Sequence, residues 1–387
     1  MSATIKKWIS RLVKLAVCAG ALAYLSTKVS LNDYVRLTED PNKKHILLSQ
    51  TDETLRIRDA DTGREREVPR AALADQATQL KKDQRPIERG LKSIVREMDG
   101  SWAIWGLLTI GPVTFVISWR LKWLLETQDI RISYRDALLL TFAGNFFNFS
   151  MPGTTGGDLY KAYHIAKRTA KRTEGVTIVI LDRVVGLISF LFIAAGAILA
   201  ARGTDIVGRF GLWVGYVLIA LILAGLLFFS RRLRRVIRYD RWLDRLPFAA
   251  MIRRIDETAF SFRRHRRTVA VSLAITVISH LFIVTSIYFL ARGLGIHPNL
   301  GRGAGELYAA VLISTVVGYL FAAIPISIQG FGLLEAVFFK VLVEGQWAGA
   351  SQMLALTLSA RLIQIIWSLP GLAVPWLGLE RPPRRGA

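Results

Sequence analysis

Cysteine is almost missing from this 387-residue chain, and the single Cys18 excludes an internal disulfide framework and a thiolate metal cluster. Histidine is nearly as sparse: His45, His164, His265, His280 and His297 show none of the i, i+3 or i+4 pairing of a helical metal site. No metal and no cofactor are therefore expected. A nucleotide loop is lacking too, because "GPVTFVIS" and "GTTGGD" have no Gly-Lys-Ser/Thr. Any transport by this chain would be facilitated, ion-coupled or powered elsewhere. Acidic residues are few, 29 against 51 Lys and Arg, for a net charge of +22. The arginines concentrate between apolar runs, where cytoplasmic loops collect them, so no nucleic-acid partner is expected.

What the chain does have is apolar length. Hydrophobic residues make up 52% of it, with several runs able to cross a hydrocarbon core of about 30 Å. The fold class expected is an all-α polytopic membrane protein. It has about six full spans plus two re-entrant broken-helix hairpins in an inverted repeat, and a small external α+β insertion.

Residues 1–26 hold the first transmembrane helix, preceded by Lys6, Lys7, Arg11 and Lys14, which place the N-terminus in the cytoplasm. Residues 27–100 form the external insertion: "HILLS", "TLRIR" and "REREV" read as a β-hairpin or meander, followed by a helix from about Arg70 to Glu97. Residues 101–201 make the first repeat of span, re-entrant hairpin and span; 202–230 make a linking span. Residues 231–267, with thirteen arginines against four acids, form a basic cytoplasmic loop. Residues 268–378 are the second repeat, and 379–387 a cytoplasmic tail. These sides put both termini in the cytoplasm, and the membrane expected is a bacterial-type inner membrane.

The stretch "SMPGTTGGD" interrupts an apolar helix between two basic flanks, so residues 134–160 enter and leave from the cytoplasm and turn at the Pro and Gly break. "IPISIQGFGLLE" repeats the device from the outside. Spacing relates the two independently of charge: Arg183 follows Asp158 by 25 positions, and Arg361 follows Glu335 by 26. Charges at span depth face a polar cavity or each other. The arginines are suited either to a lipid phosphate, which fits the guanidinium fork, or to internal ion pairs of Arg183 with Asp158 and Arg361 with Glu335. A helix start at about Gly157 would present free N–H groups to an anionic head group. Asp158, Asp182 and Glu335 are candidate proton carriers. The candidate substrate-binding set is Asn145, Asn148, Pro152, Gly153, Gly156, Gly157, Asp158, Lys161, Asp182, Arg183, Pro325, Gln329, Gly330, Gly332, Glu335 and Arg361.

"GNFFNFSMPGTTGGDLYKAYHIAKR", then "VILDRVVGLISF" and "IPISIQGFGLLEAVFF", resemble the lysylphosphatidylglycerol synthase transmembrane region, a flippase-like domain, over roughly residues 101–378. The resemblance implies movement of an anionic lipid between leaflets: an aminoacylated phosphatidylglycerol in the resistance proteins that name the family, polyprenyl-linked sugars or hopanoids in other relatives. Because this chain stops at Ala387, just after its last span, the soluble aminoacyl-transferring domain is expected to be absent, and with it the synthase chemistry. Residues 27–100 depart from the family pattern, as does Gln329 before the second glycine turn. The expectation is a lipid translocator or lipid-binding permease, not an enzyme, with a membrane phospholipid or polyprenyl-linked lipid as partner. The alternatives are a membrane-embedded transferase with a lipid-phosphate donor and a non-transporting partner of a lipid-modifying enzyme. "DAD" at 59–61 looks like a metal-binding carboxylate pair, but the following Thr-Gly makes it a turn.

Overall fold

A computed structural model describes residues 27–75, 84–150, 156–200, 265–297, 303–323 and 330–377, and singly 20, 23, 80, 215, 216 and 219. Apart from those single positions, the expected first span and the linking span lie outside the described residues. So do the basic loop up to residue 264, the tail 379–387, and Pro152, Gly153, Pro325 and Gln329.

The helices are α1 (Leu91–Arg96), α2 (Gly100–Glu126), α3 (Tyr134–Ser150), α4 (Gly156–Arg168), α5 (Arg172–Ala200), α6 (Arg266–Gly293), α7 (Ala304–Ala322), α8 (Leu333–Phe338), α9 (Ala350–Ser368) and α10 (Val374–Leu377). Among the described residues α2, α5, α6, α7 and α9 are long and apolar enough to cross a membrane. The chain is a multi-pass helical membrane protein. It divides into two compact units, one of Met1–Leu108 with Val284–Ile363 and one of Thr109–Ile283 with Gln364–Ala387.

The first unit carries an antiparallel sheet of β1 (Tyr34–Leu37), β2 (Asp40–Gln50), β3 (Thr54–Arg58), β4 (Glu65–Pro69) and β5 (Ile87–Glu88), in the order β4-β3-β2-β1-β5. Strand periodicity explains its core. In "TLRIR" the alternate Leu55 and Ile57 point inward to join Val35, Leu37 and Val68, while Arg56 and Arg58 point out to Glu65. The helix expected from Arg70 to Glu97 does not form as one piece. A 3₁₀ turn covers Arg70–Ala72, Ile87–Glu88 pair with β1, and only α1 is helical. Pro86 disfavours a helical residue before it, and the buried Arg36 draws Glu88 into an ion pair at 3.2 Å, so sheet pairing wins.

The "DAD" carboxylates serve the β3–β4 turn. Asp59 Oδ1 accepts the N–H groups of Asp61 (3.0 Å) and Thr62 (3.1 Å), and Asp61 pairs with Lys43 at 2.7 Å. These backbone bonds, that from Thr62 foremost, hold the Asp59 carboxyl below its ordinary 3.8. A pKa lowered by folding stabilises the turn above the ordinary carboxylate range, and that contribution is lost as pH falls through the folded value. Hydrogen exchange of residues 54–69 is therefore expected to be slower in wild type than in Asp59→Asn at neutral pH, compared at matched pH, and the two are expected to converge at acid pH, because Asn keeps the acceptor but never carries the charge.

Hydrogen bonds tie the segment around the sheet to two helix ends within the same unit, and those ends to each other. Ser30 N–H donates to Ser351 Oγ (3.1 Å) at the start of α9, and Asp99 N–H donates to the Gly293 carbonyl (2.9 Å) at the end of α6. Gln352 Nε2 donates to the Leu294 and Gly295 carbonyls at 3.3 and 3.2 Å. Two glycines of positive φ, Gly330 (70°) and Gly332 (85°), lead into α8, and a side chain at either would be strained.

In the second unit α3 and α4 form a helical hairpin. Its arms touch where Gly157 meets Gly144, so closely that a Cβ on Gly157 would run into the Gly144 carbonyl. At the open end of the hairpin, Leu121, Leu124 and Leu125 of α2, Leu140 of α3, Ile165 of α4, and Ile178 and Val179 of α5 share one apolar core. Basic residues rim that end: Arg168 donates to Asp136 at 2.9 Å and Lys171 to Asp129 at 2.9 Å.

Candidate functional site

The hairpin of the second unit begins its second arm at a buried glycine pair, Gly156 and Gly157. The Gly157 N–H, expected from the sequence to be free, is instead occupied: it donates to Asn148 Oδ1 at 2.8 Å, so the last turn of α3 caps the first of α4. Asn145 lies on α3 three residues earlier, partly buried. Asp158 reaches across to α5 and accepts a hydrogen bond from Arg183 Nη1, the pairing expected from the spacing. This pair keeps contact with the surroundings, with side chains 27% and 31% exposed.

Lys161 stands one turn beyond Asp158 on α4, 7% exposed, its stem lying over Gly144. Among the described residues it makes no hydrogen bond and no ion pair. Its neighbours are aromatic: Phe147 stacks on Tyr160 at 4.5 Å between ring centroids, and Tyr160 packs on His164 at 4.3 Å.

Asp182 turns the opposite way from Arg183. It lies 2.7 Å from Nη2 of Arg120 on α2, and Arg120 Nη1 also donates to Thr276 Oγ1 on α6. The helix that carries Arg120 runs on to Glu126, and Arg120 is buried within it. The available signal was Asp182 itself, a mid-span acid without an assigned cation.

In the first unit the arrangement recurs in closed form. Glu335 Oε1 accepts from Arg361 Nε (3.1 Å) and Nη2 (2.9 Å), and Glu335 Oε2 accepts the Gly332 N–H at 2.7 Å. The Arg361 guanidinium lies 3.7 Å over the Phe331 ring. With side chains 2% and 11% exposed, this pair is sealed where Asp158–Arg183 is open. Gly330 and Gly332 are buried in the turn before it. Among the described residues no group of three or more His, Cys, Asp or Glu is placed to hold a metal ion.

Apolar spans that enclose paired charges define a polytopic membrane protein with polar sites at helix breaks. Residues 89–371 match the model of the lysylphosphatidylglycerol synthase TM region, and the chain belongs to that family. The match begins at residue 89, after the last strand of the sheet. A search among curated proteins finds no match to the chain.

Proposed function

We propose that the chain translocates a lipid with an anionic head group, a phospholipid or polyprenyl-linked lipid, and that the head group binds at Lys161 and Arg183. The observation that carries this reading is the buried Lys161, which has no partner among the described residues and lies one turn from an accessible Asp158–Arg183 pair. A lone cation among apolar spans is costly, and an arriving phosphate stabilises it. Arg183 can exchange Asp158 for phosphate oxygens in a bidentate contact, while Glu335–Arg361, sealed and fully bonded, serves the fold. The aromatic column of Phe147, Tyr160 and His164 offers a surface beside it for the lipid stem.

The hairpin α3–α4 is read as re-entrant. At about 1.5 Å per residue, its arms of 17 and 13 residues span about 25 and 20 Å, short of a bilayer core. Its outer ends gather with Arg168 and Lys171, which supports cytoplasmic entry. The second hairpin lies in the unit that holds the sheet, in keeping with entry from the opposite, external side and with an inverted repeat. On this reading the termini are cytoplasmic, the sheet is external and the membrane is a bacterial-type inner membrane. We further infer transport without group transfer, since Asp158 and Glu335, the acids at the two helix breaks, are each held by an arginine.

The test is leaflet exchange of labelled phosphatidylglycerol in proteoliposomes. Lys161→Ala and Arg183→Ala are expected to slow exchange about tenfold or more each, the scale of one lost charged hydrogen bond, with the protein still folded. Exchange at wild-type rates in both variants overturns the reading, and turnover of a lipid-phosphate donor by purified protein favours the transferase instead.

A further inference from the structure

Three span-forming helices of the second unit carry a second polar cluster that the head-group site does not use. Arg120 comes from α2, Asp182 from α5, and Ser272, Thr276 and His280 from α6, each more than nine-tenths buried. Thr276 and His280 are four residues apart and share a helix face, and Phe190 of α5 stacks flat on the His280 ring at 3.6 Å between centroids. Four polar atoms in this cluster have no hydrogen-bond partner among the described residues: Arg120 Nε, Asp182 Oδ1, Ser272 Oγ and His280 Nδ1. Asp182 Oδ1 is in charge contact with Arg120 but accepts no aligned hydrogen bond. Inside apolar spans such an arrangement costs stability, and intramembrane ionisable groups of this kind mark ion and proton pathways.

We propose that Asp182, with Arg120 and His280, forms a proton-binding site that couples proton movement to lipid translocation. The coupling rests on the translocation reading; the proton site does not. Among the three mid-span acids the geometry selects Asp182. Both oxygens of Glu335 already accept hydrogen bonds, and Asp158 is a partly buried member of the head-group site, paired with Arg183. Asp182 can take a proton in place of its charge contact with Arg120, and His280, one turn beyond Thr276 on α6, carries a buried Nδ1 with no hydrogen bond among the described residues.

Against Asp182 the structure places Arg120 of α2, which also donates to Thr276 of α6; Arg183, next along α5, turns the other way to Asp158 of α4. A proton on Asp182 removes the negative partner of Arg120 and adds positive charge next to Arg183. That attracts an anion to Lys161 and Arg183, and by linkage the anion favours the proton equally. Release of the head group then favours return of the proton to water and re-formation of the Arg120–Asp182 pair.

The experiment has two arms on the full-length protein. Infrared difference spectra between acid and neutral pH are expected to show a protonated-carboxyl band that disappears in Asp182→Asn. In proteoliposomes, an imposed pH gradient is expected to redistribute labelled phosphatidylglycerol between leaflets by up to about tenfold per pH unit, the limit for one proton per lipid. The double variant Arg120→Gln with Asp182→Asn, which leaves neither charge buried alone, is expected to lose that response. Absence of an Asp182 band overturns the proton site. Exchange that proceeds but ignores the gradient overturns the coupling and leaves translocation standing. A titrating Asp182 band in a protein that moves no lipid supports the proton site and overturns translocation.

Discussion

Replacing Glu335 with alanine is expected to cost about 3 kcal/mol of stability and to leave little folded protein, read as thermal unfolding in detergent. The carboxylate is bound on both sides, by Arg361 through Oε1 and by the Gly332 N–H through Oε2. Its removal strands a guanidinium inside apolar helices and uncaps the first turn of α8 at the same time. Arg361→Ala should cost a similar amount, because it strands the carboxylate and empties the face of Phe331. Replacing both residues by methionine should recover most of the loss, since no charge is then left alone. Arg361→Lys should recover less than that: an ammonium supplies no planar fork for Glu335 and stacks less well on the ring. Single variants as stable as wild type would show that the pair carries no structural load.

Gly157→Ala is expected to disrupt the α3–α4 hairpin, lowering stability by about 2 kcal/mol and lipid exchange at least tenfold. A Cβ there meets backbone, the Gly144 carbonyl, so no rotamer change relieves it and the two arms must separate. Separation also pulls Gly157 N–H from Asn148 and moves Asp158 and Lys161, which follow on the same arm. Gly186→Ala on α5 is the matched control. Nothing lies within 4 Å of a Cβ at that position, so the substitution should be neutral or slightly stabilising. Equal behaviour of the two variants in unfolding and exchange assays would remove the close approach from the account.

How much of this was legible in the sequence varies with the range of the interaction. The 25- and 26-residue spacings pointed to Asp158–Arg183 and Glu335–Arg361, and both pairs form. Spacing was informative because each pair joins a helix break to the next helix, and one helical length sets the separation. Arg120 escaped because its partners, Asp182 and Thr276, lie on helices that no local pattern connects to it. The strand cores at Leu55 and Ile57 were visible as alternation, whereas β5 was hidden in a stretch read as helix, since its pairing with β1 spans 52 residues. The Gly157 N–H looked available in sequence because a helix start always leaves donors open, and only folding back of α3 brings Asn148 to it.

By itself the sequence determined the membrane class, the helix breaks, the acid–arginine pairs and the family, because apolar run length, Pro and Gly chemistry and charge position are local properties of a chain. Tertiary structure alone decided which charges are neutralised and which is left over. It sealed Glu335–Arg361, left Asp158–Arg183 open, buried Arg120 against Asp182 and left Lys161 without a partner among the described residues. That division follows from the physics of charge in a low-dielectric medium: a buried ion is settled by the groups within a few ångströms, and those come from helices distant in sequence.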